Sequence, residues 1–237
     1  MALYCMADTH LSESVSKPMD LFGRRWVNYT AKIAENWNAV VREEDTVILP
    51  GDISWGLTLD EAEADLAFLH RLNGRKLIGK GNHDLWWQSD KKVMTLIEER
   101  GFSSLSLLRN NAYALEGKRI CGSRGWYSDP HNAPPDTDFS KITAREVIRA
   151  EISIRAALSL PAETQDDELI AFFHFPPVYR GFVCRDLIEL MKRYGIKRCY
   201  YGHIHNVYDL PPSFEFEGIT MTIVSADYLN FMPLRIV

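Results

Sequence analysis

Residues 79–86, GKGNHDLW, place Asn82, His83 and Asp84 side by side where an apolar run, residues 76–78, ends. A turn alone is satisfied by Gly and Asn, so a histidine and an aspartate beside them call for another use. Working outward, short apolar runs of the same kind stand at residues 3–6, 46–49, 169–173 and 198–201 and read as buried strands. Residues 26–41 carry Trp26, Ile33, Trp37 and Val40 at helical spacing. Residues 59–72 do so with Ala62, Leu66 and Leu69, opened by Asp60 and Glu61. A third helix is predicted over 90–100, closed by Gly101. Strand and helix in alternation imply an α/β fold with helices covering the sheet.

The second half reads as richer in strands. A hairpin is expected over 112–115 and 119–122, turning at Glu116-Gly117. A loop over 123–140 with Pro130, Pro134 and Pro135 precedes a helix over 143–158, and residues 220–225 and 234–237 read as a further strand pair. With 237 residues, no internal repeat and no linker, one domain spanning 1–237 is the economical reading.

Composition narrows the function classes. Hydrophobic residues make up 46% of the chain, enough for a sizeable core, and the net charge is -5, from 27 basic and 32 acidic residues. That balance leaves no footprint for general nucleic-acid binding, which uses a basic face. Cys5, Cys121, Cys184 and Cys199 are widely spaced with no CxxC, which favours a reducing compartment. MALYCMADTHLS reads without a basic leader or a long apolar stretch, and no segment reaches the length of a membrane span, so a cytoplasmic protein is expected.

Every one of the five expected strands runs into a loop with a metal-competent side chain. The first ends in Ala7-Asp8-Thr9-His10, the second in Pro50-Gly51-Asp52 and the third in Gly81-Asn82-His83-Asp84. His174 ends the fourth, and Gly202-His203-Ile204-His205 the fifth. Ligands bind open α/β sheets outside the carboxyl ends of their strands. Taken singly, each piece has an ordinary reading. Asp8-Thr9-His10 suits a helix cap, Gly51-Asp52 a turn, Asn82 a left-handed turn residue and His174 a satisfied core histidine. His203 and His205, flanking Ile204, are expected to point the same way. Together, five strand ends with carboxylate and imidazole donors point to Mn, Fe or Zn, and Asp52 could bridge two such ions.

Read in order, DTH, GDISW, GNHD, a lone His174 and GHIH resemble the calcineurin-like metallophosphoesterase superfamily, from Asp8 to His205. Within it, the run is similar to a bacterial group of predicted phosphohydrolases. The resemblance implies a two-sheet sandwich flanked by helices (αββα) with a dinuclear centre. Asp8, His10 and His205 would hold one metal; Asn82, His174 and His203 would hold the second, and Asp52 would bridge them. It further implies hydrolysis of a phosphate ester by a metal-bridging hydroxide, with His83 assisting the leaving oxygen and Asp84 orienting or capping the turn. The family's Ser/Thr protein phosphatases extend the second motif to G-D-x-x-D-R-G. Gly51-Asp52-Ile53-Ser54-Trp55-Gly56 lacks that acid and arginine, which argues against that branch and leaves His83 without an identified partner.

Outside these motifs, Arg124 reads either as a substrate-phosphate contact or as a surface ion pair. Trp55, Trp126 and Tyr127 read as pocket walls or core packing, and His131 as solvated. Pro176-Pro177-Val178-Tyr179-Arg180 is a further candidate wall. The expected substrate is a phosphorylated small molecule such as a nucleotide. A nuclease and a non-catalytic scaffold are the alternatives.

Overall fold

The computed structural model describes residues 1–126, 138–161 and 167–237. Tyr127 and His131 lie outside the described residues, as does most of the expected 123–140 loop. The first half alternates as expected: β1 (Leu3–Cys5), α1 (Tyr29–Val40), β2 (Thr46–Leu49), α2 (Leu59–Arg71), β3 (Arg75–Ile78), α3 (Asp90–Glu99) and β4 (Leu105–Leu107). Then come β5 (Ala112–Leu115), β6 (Lys118–Ser123), α4 (Phe139–Ser159), β7 (Glu168–Phe173), β8 (Val178–Tyr179), β9 (Phe182–Val183), α5 (Arg185–Arg193), β10 (Arg198–Tyr201), β11 (Ser213–Phe216), β12 (Ile219–Ile223) and β13 (Leu234–Arg235).

Two sheets carry the fold. One runs β13-β1-β2-β3-β4, parallel except for β13; the other runs β11-β12-β10-β7-β6-β5, with antiparallel strands only at its two edges. Period-two alternation sorts their side chains into three apolar layers. Leu3, Cys5, Ile48, Ile170, Phe172 and Tyr200 fill the space between the sheets, where Phe172 and Tyr200 stack at 5.2 Å. Val47 and Leu49 face the other way, onto Ile33 and Trp37 of α1 and Leu66 and Leu69 of α2. Ala171, Phe173 and Cys199 face Ile154 of α4 and Leu187 and Met191 of α5. The architecture is the expected αββα sandwich in a single domain. All four cysteines are buried thiols, and no described helix is long and apolar enough to cross a membrane.

Helix ends and one turn follow local chemistry. Thr58 and Ser89 accept from Glu61 N and Lys92 N and so cap α2 and α3. Gly101, at φ 67°, ends α3 with Gly101 N and Phe102 N donating back to Glu98 O and Ile97 O. The β5–β6 turn falls at Glu116 and Gly117, both at positive φ.

Three elements differ from expectation. Trp26 stands in a short 3-10 turn (Arg24–Trp26), because Asn28 at φ 54° breaks the chain before α1 begins. Helix α4 starts at Phe139, four residues early, since the Asp138 side chain accepts from Lys141 N. The two terminal runs do not pair with each other. Strand β12 lies between β10 and β11, whereas β13 crosses to the other sheet and pairs with β1. Strands β4, β8, β9 and β11 and helix α5 were not expected at all.

Candidate metal centre

The carboxyl ends of β1, β2 and β3 meet those of β7 and β10, and the five sequence motifs converge there. Two groups of side chains form: Asp8, His10 and His205, and Asp52, His174 and His203. Within each, the potential ligand atoms lie within 4.8 Å of one another. Asn82 Oδ1 is 2.7 Å from His174 Nε2, which places it with the second group. Asp52 Oδ2 stands between the groups, 3.7 Å from His10 Nε2 and 3.4 Å from His174 Nε2. His203 and His205 do not point the same way. The chain leaves the strand at Tyr201, His203 adopts φ 70°, and the two imidazoles enter different groups.

Backbone conformation aims these side chains. Asp8, His10, Asp52 and His203 all have φ between 44° and 70°. Such left-handed non-glycine positions cost about 1 kcal/mol each and cluster at functional sites. Asn82 is not among them. The loops also approach too closely for ordinary residues: a Cβ on Gly81 would overlap Asp52, and one on Gly202 would overlap Asp8 and Ala7.

Asp84 ties two of the loops together. Its carboxylate accepts from Gly81 N (2.7 Å), Asp52 N (2.9 Å), Ile53 N (2.8 Å), Ser54 N (3.2 Å) and Trp86 Nε1 (3.0 Å). Asp52 Oδ1 in turn accepts from His83 N and Asp8 Oδ2 from His203 N, both at 2.8 Å. The Asp84→Ala variant leaves five buried donors without an acceptor. The expected loss is about 3–5 kcal/mol, read as a drop of roughly 10 °C in Tm; an unchanged Tm would show that the loops hold each other without it.

The remaining donor atoms are buried and unsatisfied. Asp8 Oδ1, Asp52 Oδ2, His10 Nδ1 and His174 Nδ1 have no hydrogen-bond partner. Buried polar atoms are normally paired, so four orphans at one spot mark a place for a cation, and the carboxylate and imidazole set suits Mn, Fe or Zn. Electrostatics agree. Burial, then the neighbouring imidazoles, hold His10 and His174 well below the usual histidine range, His203 at about 3 and His83 at about 4, so their rings stay neutral with a lone pair to offer. Burial also pushes Asp8 up to about 6 and Asp52 well above the carboxylate range, in Asp52 with help from the charges of Asp84 and Asp8. A bound cation reverses that logic.

A family model described as calcineurin-like phosphoesterase matches residues 1–207. The chain belongs to that family. It is a metal-dependent phosphoesterase, a hydrolase of phosphate esters, and the family typically binds two metal ions. Solved structures with similar folds include a protein of unknown function from Aquifex aeolicus (17% identity, TM-score 0.53, covering 99% of this chain and 95% of that one). Another is the phosphopantetheinyl hydrolase of Mycobacterium tuberculosis (14% identity, TM-score 0.57, covering 100% and 95%). At these identities the likeness shows the fold alone. No curated protein sequence matches the chain.

In this calcineurin-like phosphoesterase the match stops short of one residue that the motifs did not reveal. Asp227 follows β12, a sixth strand end on the same rim. Its Oδ1 lies 2.8 Å from His205 Nδ1, and its Oδ2 accepts from Asn206 N and from the Tyr208 hydroxyl, both at 3.0 Å. Burial lowers the His205 pKa, but that hydrogen bond and the charges of Asp8 and Asp227 outweigh it, and the net shift is upward. Held by Nδ1, His205 presents Nε2 to His10 Nε2, 3.2 Å away. Such an orienting carboxylate is commonly worth about 10–100-fold in metal affinity. Asp227→Asn is therefore expected to weaken one of two metal sites by that factor in a Zn²⁺ or Mn²⁺ titration, and equal weakening of neither site would strike Asp227 from this role. The local signal was an acid two residues beyond the expected strand 220–225, which does not by itself place it on this rim.

The other candidate residues separate. The Trp55 ring stacks on His10 at 4.8 Å and packs on His83 at 4.4 Å, so it walls the site. Among the described residues no carboxylate bonds the His83 ring. Trp126 lies 5.4 Å from Phe175, which in turn packs on His203 at 4.5 Å, so it stands behind the site. Arg124 is in an ion pair with buried Glu146 at 3.4 Å, at the edge of a separate cavity.

Proposed function

We propose that this phosphoesterase hydrolyses a small phosphorylated molecule, such as a nucleotide, at a centre of two Mn, Fe or Zn ions held by the seven motif residues, with His83 serving the leaving group. The position of Asp52 Oδ2 carries the reading, since one carboxylate oxygen lies within 3.7 Å of an imidazole nitrogen from each group. Asp8, His10 and His205 would take one ion, Asn82, His174 and His203 the other, with Asp52 shared. Cations held there supply Lewis acidity, lowering the pKa of water toward neutrality and offsetting phosphoryl charge.

The chain's own part is placement and proton delivery. His83 is fixed through its main-chain N–H to Asp52 and its ring is held against Trp55. It lines a cavity of about 360 Å³ whose wall sets apolar Val15, Trp55, Leu57 and Leu85 beside Ser16, Lys17 and Glu61. A leaving oxygen beside His83 would therefore belong to a group with an apolar or ring-shaped body, which this cavity accommodates. An acid so positioned is typically worth about 10²–10⁴-fold.

The test is turnover of p-nitrophenyl phosphate and of its bis ester with Mn²⁺ added. Metal-dependent release of p-nitrophenol from either supports an esterase and their ratio assigns mono- or diesterase preference. Release from neither, with Mn²⁺, Fe²⁺ or Zn²⁺, rejects the small-molecule reading. Cleavage of single-stranded DNA under the same conditions would instead favour a nuclease, a reading that the net charge of -5 does not recommend.

A further inference from the structure

One strand outward from the metal groups, on the same rim, a second cavity of about 200 Å³ opens between the two sheets and α4. Five cationic side chains line it: Lys80, Arg109, Arg124, Arg145 and Arg149. Among the described residues, the only carboxylate in the lining is Glu146, whose Oε1 meets Arg149 at 2.7 Å, Arg124 at 3.4 Å and Arg145 at 3.6 Å. Asp90 answers Arg109 from outside the lining. Among the described residues, five cations against these two carboxylates leave an excess of three, in a chain whose net charge is -5.

That excess is not needed to hold the fold. Three guanidinium groups crowd onto Glu146 Oε1 while its Oε2 is buried without a partner, so the surplus cations are not spent on hydrogen-bonding that carboxylate, and each further cation adds repulsion. Arg124 shows the consequence: burial lowers its pKa and Arg145, Arg149 and Arg109 lower it further, with Glu146 alone opposing. Its Nε is buried without a partner. A guanidinium cluster with one such unpaired donor suits a phosphoryl group, which takes paired N–H bonds from arginine.

The cavity is coupled to the catalytic rim by its walls. Lys80 lies two residues before Asn82. Arg124 follows the end of β6, its carbonyl accepts from Phe175 N at 2.9 Å, and its guanidinium faces the Phe175 ring at 5.8 Å. That ring packs on His203 at 4.5 Å and on His174 at 5.0 Å. One phenyl ring thus separates the cationic cavity from the Asn82, His174 and His203 group, and this cavity shares no lining residue with the one at His83.

We propose that this cavity binds a second phosphoryl group of the substrate, one that is not hydrolysed, so that the preferred substrates carry two phosphates rather than one. The proposal deepens the small-molecule reading above and rests on it. The test begins with protein stripped of metal by chelation and dialysis, titrated with inorganic pyrophosphate by calorimetry. One equivalent is expected to bind, about tenfold more weakly in Arg149→Gln and not measurably in Arg145→Glu. Arg145 is more than half exposed, so the latter variant does not depend on surviving a buried substitution. With Mn²⁺ restored, the KM for a nucleoside 3′,5′-bisphosphate is expected to lie at least tenfold below that for the 5′-monophosphate, and Arg145→Glu to remove the difference. Absence of pyrophosphate binding, binding indifferent to both substitutions, or equal KM values in the unsubstituted protein would each overturn the proposal. Turnover of p-nitrophenyl phosphate is scored separately, so its absence strikes the esterase reading and absent pyrophosphate binding strikes this one.

Discussion

The Asp52→Asn variant is expected to lose both metal ions together and, with them, activity by several orders of magnitude. One oxygen, Oδ2, lies near an imidazole nitrogen of each group, while the other, Oδ1, is occupied by His83 N–H. An amide in that place offers one neutral oxygen where two cations need a shared anion to offset their repulsion, so neither ion is retained at full strength. Elemental analysis after dialysis is the measurement. Wild type should retain about two equivalents and the variant close to none; retention of one would show that Asp52 serves a single ion. The variant should still fold, because Asp52 N and its neighbours remain bonded to Asp84.

His83→Ala should behave in the opposite way: full metal content and a turnover lower by about 10²–10⁴-fold. The His83 ring is outside both groups of potential ligands, and its contacts are with Trp55 and His10. The loss should fall on kcat, and more heavily for alkyl phosphates than for p-nitrophenyl phosphate, whose leaving group needs little protonation. A variant as active as wild type on both would remove His83 from the chemistry. Loss of metal in the same variant would make it part of the cage.

The motif residues were legible because each stands at the end of an apolar run, where an α/β sheet opens to ligands, and because histidine, aspartate and asparagine have few uses in common at such places. Strand register was not legible. The run 220–225 was recognisable as a strand, but nothing local says that it pairs with β10 and β11 while the last strand crosses to β1, so Asp227 could not be placed on the rim. The cationic cavity was hidden for a similar reason. Arg145 and Arg149, spaced by four on α4, look like any solvated helix face, and only folding sets them opposite Lys80, Arg109 and Arg124. The two readings of Arg124, ion pair or phosphate contact, also turn out not to exclude each other: it meets Glu146 and lines an open space.

The left-handed turns and interlocked glycines of the rim have one more consequence. A cage knitted from main-chain N–H groups and the carboxylates that accept them is expected to stand without its occupants, unlike a zinc finger, whose fold collapses when the ion leaves. Chelation should then empty the protein and leave its near-ultraviolet circular dichroism intact, and refilling should proceed at the speed of ion entry, with no refolding phase.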